Sequence, residues 1–423
     1  MLYCVYNGTN NSGNIRTMHG TTVSHGRGLT QAHTNLTVLI GSFNMQDLKF
    51  TTCGDYMNKP IVRIGFACKY MHPDQTQKKK LLEEIQRPLN TRSTTVQWLN
   101  RQTRDVAEER LWDIMVHNIQ SYYNLIEYVG SLPHELRMVR LGSDVLPVYT
   151  QSDWRYYWQL PSVVSYCEKH FARVGALAKE LDVRLSMHPG QFTVLASDNP
   201  DIVDRSIEEF EYHTDVIRYM GYGQSFQDFK CNVHISGRKG PQGIRDALKR
   251  LSPEARNTIT IENDENKWGL EHSLELVDDC ALVLDIHHHW CREGEYIRPT
   301  DDRFARVIDS WRGVRPAIHY SYSRTEALPE GFAHDTMPNF PALLEAGHKK
   351  GKLRAHSDYY PNNAVNDYAL SFLPYADIMC ESKCKNLASI DLYKYYKGKD
   401  NELFEQNVRA PRKDRIPELS SFG

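Results

Sequence analysis

The sequence is poor in long apolar runs. The richest, 280–284, is five residues long, against the roughly 18 that a membrane-spanning helix needs, so no membrane association is expected. Neither sign of charge dominates: 51 Lys and Arg face 53 Asp and Glu, a formal net charge of −2. That argues against a protein that coats nucleic acid indiscriminately, though a local basic patch remains possible. Nine cysteines in 423 residues form no dense framework, which excludes a disulfide scaffold and points to a reducing, intracellular setting such as the cytoplasm. The first residues, MLYCVYNGTNNSG, lack a basic region followed by an apolar core, so secretion is not expected. Asn7-Gly8-Thr9 and Asn35-Leu36-Thr37 then match the glycosylation pattern only by chance. No G-x-G-x-x-G follows the first strand-like run, so no nucleotide cofactor is expected.

What the chain does have is an ordinary globular composition, 40% hydrophobic and 25% charged, together with 18 histidines that cluster. Residues 1–56 are rich in Asn, Thr, Ser and Gly and show no hydrophobic period, which suggests a weakly ordered extension. From there on, β-branched runs at 61–68, 138–146, 183–190, 229–237, 258–264, 281–290, 316–321 and 376–382 alternate with amphipathic stretches. The stretches 105–129, 166–181, 202–220 and 270–279 repeat apolar residues at three- and four-residue spacing, with Gly130 and Gly221 placed as helix stops. Eight strands with helices between them predict an α/β fold, a (β/α)8 barrel of TIM type over 57–390. A basic insertion is expected at 71–104 and a solvated tail from about 382, with 391–423 outside the barrel. Over 57–110 there are 11 Lys and Arg against 6 Asp and Glu, the first place to look for contact with a polyanion.

In such a barrel the active site forms where the strands end, and here nearly every strand ends in a metal-type ligand. In chain order these are Asp144, His188, His234, Glu262, Asp285 with His287, His288 and His289, then His319 and Glu381, with His356 in the loop after strand seven. So many ionisable groups converging without counter-charge would be costly, and a divalent metal cluster resolves the cost. Imidazole and carboxylate without thiolate suit manganese or zinc better than calcium, with magnesium a further candidate. Such a site serves hydrolysis at phosphorus and would equally serve aldose isomerisation.

The segments SMHPGQFTVLAS (186–197), Asp204-Arg205-Ser206, IENDE (261–265), LDIHHH (284–289), IHYS (318–321), AHSDY (355–359) and MCESK (379–383), with RIGFAC (63–68) before them, resemble the UV damage endonuclease family in order and spacing. The resemblance covers roughly 63–386. It implies a manganese-dependent barrel enzyme that nicks damaged double-stranded DNA immediately 5′ of UV-induced and related lesions and leaves a 3′-hydroxyl. Carried over by motif, the metal ligands are His188, His234, Glu262, Asp285, His288, His319, His356 and Glu381, with Glu262 bridging. His288 is chosen over His287 because the family's histidine lies three residues after the aspartate, although strand alternation would favour His287. His188, His234, Glu262 and Glu381 are the expected catalytic group. Gln191 and Phe192 match the pair inserted at the lesion, and Phe66 and Asp144 are further candidates for DNA contact. The chain departs from the family at Phe66 and Phe192, where tyrosine is common, and at Ala317, where the family has a lysine able to bridge metals once carbamylated.

The favoured reading is therefore a monomeric DNA repair endonuclease. The alternatives are an abasic-site endonuclease, a weakened damaged-DNA binding protein and a metal-dependent sugar isomerase. A chain beginning at Met57 is expected to fold; circular dichroism showing no helix in such a chain would refute the reading of 1–56 as dispensable.

Overall fold

The computed structural model describes residues 61–328 and 335–409. The expected extension 1–56 lies outside them. Contacts divide the chain into Met1–Met57 and Asn58–Gly423, and the second unit holds everything below.

Eight parallel strands, β1 (Ile64–Ala67), β2 (Met138–Arg140), β3 (Arg184–Met187), β4 (Lys230–His234), β5 (Ile259–Glu262), β6 (Ala281–Val283), β7 (Ala317–Tyr320) and β8 (Asp377–Cys380), are ordered β6-β5-β4-β3-β2-β1-β8-β7. A parallel bridge between Asp285 and His319 brings the two outer strands together, so the sheet is the TIM-type barrel that the alternating pattern predicts. Successive side chains point to opposite faces of a strand. Ile64, Phe66, Val139, Leu185, Cys231, Val233, Ile261 and Ile318 join the large apolar cluster shared with the helices. Their neighbours, among them Met138, Arg140, Lys230, Asn232 and Glu262, fill the barrel.

The long helices form where the three-and-four spacing predicts them: Arg104–Gly130, Pro161–Glu180 and Pro200–Tyr219. Asn199 caps the third, its side chain accepting the Asp201 N–H. The second helix comes so close to the end of the third that a Cβ on Gly175 would stand 1.8 Å from the Met220 carbonyl oxygen, so only glycine fits there.

Three expectations are corrected. The run 281–290 is not one strand: β6 stops at Val283 and a helix, Ile286–Glu293, begins. The reason is local. Asp285 takes the N-cap, its carboxylate accepting the His288 N–H at 2.7 Å, and Gly294 closes the helix at φ +74°. The stretch 270–279 is likewise broken, into the helix Leu270–Ser273 and a 3-10 turn Leu274–Leu276. Residues from 382 are not simply a solvated tail, because the helix Lys385–Arg409 crosses the expected boundary at 390. It buries Ala388 and Leu392, and Asn386 clamps the Met71 backbone through both its oxygen (2.7 Å) and its nitrogen (2.9 Å).

The end of the barrel where the strands start is tied by one buried carboxylate. Asp377 is fully buried and meets Arg184 and Arg315, each at 2.6 Å, as well as the Arg63 backbone N–H at 2.9 Å. Among the described residues no helix is long and apolar enough to cross a membrane, and all seven cysteines there are free. Asp377→Asn would leave the guanidinium groups without their shared counter-charge and is expected to cost about 3 kcal/mol, read from the midpoint of urea unfolding.

Candidate active site

Parallel register sets the site. The pairing of β4 with β5 places His234 beside Glu262, and the bridge closing the barrel places Asp285 beside His319. Three groups of possible ligands follow, each with its atoms within 4.8 Å of one another: His188, His234 and Glu262; Glu262, Asp285 and His319; and His234, Glu265 and His288. Glu262 is 1% exposed. Its Oε2 lies 3.5 Å from His188 Nε2 and 3.7 Å from His234 Nε2, and its Oε1 3.0 Å from His319 Nδ1. Glu381 joins through Oε1, 3.3 Å from His319 Nδ1 and paired with Arg140.

The supporting contacts fix which ring nitrogens face inward. The Nδ1–H of His188 donates to the Pro189 carbonyl at 2.8 Å and that of His288 to the Asn263 carbonyl at 3.0 Å. In His188 this leaves Nε2 turned to Glu262, the arrangement found in metal-binding histidines; in His288 Nε2 faces Glu265, while Nδ1 lies 3.4 Å from Glu262 Oε1. Asp285 spends Oδ1 on the helix cap, while its buried Oδ2 has no hydrogen-bond partner. An orphaned carboxylate oxygen among imidazoles is what a site built for a cation leaves behind, so the donor set fits a divalent metal.

Electrostatics agree. Burial holds the Asp285 carboxyl well above its ordinary range, and His288 only partly offsets this. At Glu262 burial opposes ionisation too, but the imidazoles of His319, His234 and His188 outweigh it and hold the carboxyl well below its ordinary range. Burial pushes His188 down to about 4. It also opposes charge on His288, but Asp285, Glu262, Glu265 and Glu381 overcome that and push its imidazole up to about 9.

The structure thus brings together His188, His234, Glu262, Asp285, His288, His319 and Glu381. His356 stands at the edge and belongs to none of the three groups. Its Nδ1–H donates to the Glu381 carbonyl at 2.9 Å, and its ring meets His287, centroids 5.8 Å apart. The choice of His288 over His287 follows from the helix: residues three apart share a face, so His288 Nδ1 lies 3.7 Å from Asp285 Oδ2. Phe66, expected to contact DNA, is 1% exposed and packs in the apolar cluster; strand alternation turns it away from the barrel mouth. Asp144 is exposed and accepts the Thr91 hydroxyl at 3.1 Å, tying the loop after β2 to the insertion. Phe192 is 85% exposed and lines a cavity of about 500 Å³ with Arg155 and Arg205. Gln191, also exposed, lines a second of about 260 Å³ whose floor includes His188, His234 and His288.

Three participants escaped sequence reasoning. Lys230, buried, reaches His319 Nε2 at 2.7 Å, and burial lowers its amine to about 7. Arg140 pairs with Glu381. Asn232 donates to Glu262. A signal existed for two of them: on β4, Lys230 and Asn232 precede His234 by four and two residues and so share its face.

The comparisons accord with this geometry. A family model described as "UV-endonuclease UvdE" matches residues 62–408. The chain belongs to the UvdE family. It is 26% identical over 307 residues to the UV DNA damage endonuclease of Bacillus cereus (strain Q1), covering 70% of this chain and 85% of that protein. The same figures hold for the enzyme of Bacillus thuringiensis subsp. konkukian (strain 97-27). The crystal structure of SacUVDE shares the fold, with a TM-score of 0.58 at 21% identity over 80% of this chain and 99% of that one. This UvdE member is a DNA repair endonuclease.

In the metal-free protein the His288 imidazolium is stabilised by folding, since its value rises from 6.5 to about 9. That contribution is complete below about 6.5 and is lost as pH climbs through about 9. The thermal midpoint of chelator-treated protein should therefore fall across this window, and less steeply in His288→Gln; identical slopes would refute it.

Proposed function

We propose that this endonuclease hydrolyses the phosphodiester immediately 5′ of a UV-induced or related lesion in duplex DNA. A water oxygen bonds to phosphorus as the P–O3′ bond breaks, leaving a 3′-hydroxyl and a 5′-phosphate. The observation that carries the reading is an 85% exposed phenylalanine, Phe192, beside an imidazole–carboxylate centre at the barrel mouth.

Divalent cations, Mn²⁺ foremost, would be held by His188, His234, Glu262, Asp285, His288, His319 and Glu381, with His356 at the edge. When bound they supply an acidified water and positive charge opposite the leaving oxygen. The chain's own groups do the rest. Glu262, touched by four imidazoles, holds the two sides of the centre at a fixed spacing. Arg140 orients Glu381. Gln191 and Phe192 fill the gap left when damaged bases leave the stack, the least costly step of a duplex to open. Lys78, Lys79 and Lys80, in the insertion after β1, are exposed and offer charge to the backbone phosphates. A sugar isomerase would have no use for an aromatic ring held out into solvent.

The reading is tested on supercoiled plasmid with Mn²⁺. Irradiated plasmid should be nicked and unirradiated plasmid left intact; equal nicking, or none, counts against lesion-directed cleavage. Glu262→Gln should lower nicking at least 100-fold while binding to irradiated DNA persists. Phe192→Ala should weaken discrimination between damaged and intact duplex, by about 1–3 kcal/mol for a lost stacking contact, measured as a ratio of dissociation constants.

A further inference from the structure

Glu265 lies three residues beyond Glu262, past the end of β5, and is not among the ligands that the family resemblance supplies. Its side chain is 18% exposed. The carboxylate is divided between two partners: Oε1 lies 3.5 Å from Arg354 Nη1, and Oε2 lies 3.8 Å from His288 Nε2. The loop that carries it is rigidly turned, because Asp264 Oδ1 accepts the backbone N–H groups of Asn266 and Lys267, each at 2.7 Å. On the facing side His288 has its Nδ1–H committed to the Asn263 carbonyl, so Nε2 is the nitrogen presented to Glu265. The His234 ring stands 5.3 Å from the His288 ring.

We propose that Glu265, His288 and His234 form a cation position on the outer rim of the centre, one that takes a divalent metal of the Mn²⁺ or Zn²⁺ kind. Ligand atoms about 2.1 Å from one cation stand about 3–4 Å from each other, and the 3.8 Å between Glu265 Oε2 and His288 Nε2 meets that spacing without movement of the backbone. Arg354 holds the second oxygen and so aims the first. Two imidazoles with one carboxylate suit these metals rather than calcium. Unlike Glu262, buried beneath it, this position opens on the cavity of about 260 Å³ that Gln191 and Thr193 also line. A cation there would meet a DNA phosphate directly, on the side where Gln191 enters the duplex.

The inference deepens the proposed metal-dependent reading and rests on it. The test uses the purified full chain, stripped with chelator and dialysed against Mn²⁺, with bound metal counted by elemental analysis and affinities read by calorimetry, without DNA. Glu265→Gln should bind one equivalent fewer than the unaltered chain, with unchanged circular dichroism. Glu265→Asp, which withdraws the carboxylate by one methylene, should keep the equivalent and bind it at least fivefold more weakly. Both variants matching the unaltered chain in number and affinity would overturn the proposal and leave the metal-dependent reading standing. An unaltered chain that binds no Mn²⁺ would overturn both. Retention of one equivalent in Glu262→Gln, removed when Glu265→Gln is added to it, would support a separate outer position.

Discussion

Everything at the mouth of this barrel depends on how three carboxylates are kept where water barely reaches them. Glu262, Asp285 and Glu381 converge from β5, β6 and β8. An isolated carboxylate moved out of water costs several kcal/mol, so each must be answered. Arg140 answers Glu381, and four imidazoles surround Glu262. Asp285 is only half answered, by a helix cap on one oxygen and no hydrogen bond on the other. The shortfall in positive charge is the physical content of the site, and it is the setting in which a bound divalent cation would be stabilised.

The barrel makes that concentration of charge possible. Its interior is usually packed by bulky branched side chains. Here Met138 and Met379 supply an apolar layer with Ala67, while above them Lys230, Asn232 and Thr260 form a polar floor. Thr260 donates to Asn232, which donates to Glu262. Ala317, two residues before His319, offers only a methyl group; the amine that reaches His319 comes instead from Lys230 on β4. The Asp377 cluster secures the opposite end of the barrel, so the strands that carry the imidazoles and carboxylates are pinned there.

Around this rigid centre stand the parts that would meet DNA, and they are exposed. Phe192 and Gln191 stand on the loop after β3 and the basic insertion follows β1. Asp144 and Thr91 join the insertion to the β2 loop. The Glu265 loop completes the rim. Recognition by exposed loops and chemistry by buried strand ends is the division of labour that barrel enzymes share.

Periodicity and motif were enough to read the eight strands, the three long helices and most of the side chains that meet at the barrel mouth, because strand alternation and helical spacing are local properties that side chains carry with them. His188, His234, Glu262, His319 and Glu381 were legible for that reason. The helix inside 281–290 was not, since only the cap formed by Asp285 distinguishes it from a strand, nor was the packing of Ala388 and Leu392 in the final helix. Phe66 was misread because a motif match does not say which face of β1 the ring occupies. Sequence alone determined the fold class and the kinds of side chain that gather at the strand ends. Tertiary structure decided that Phe66 is core and Phe192 is not, that His288 rather than His287 meets Asp285, and that Lys230 and Glu265 border the centre. These are contacts between strands and loops far apart in the chain, and register and barrel closure, not local pattern, bring them together.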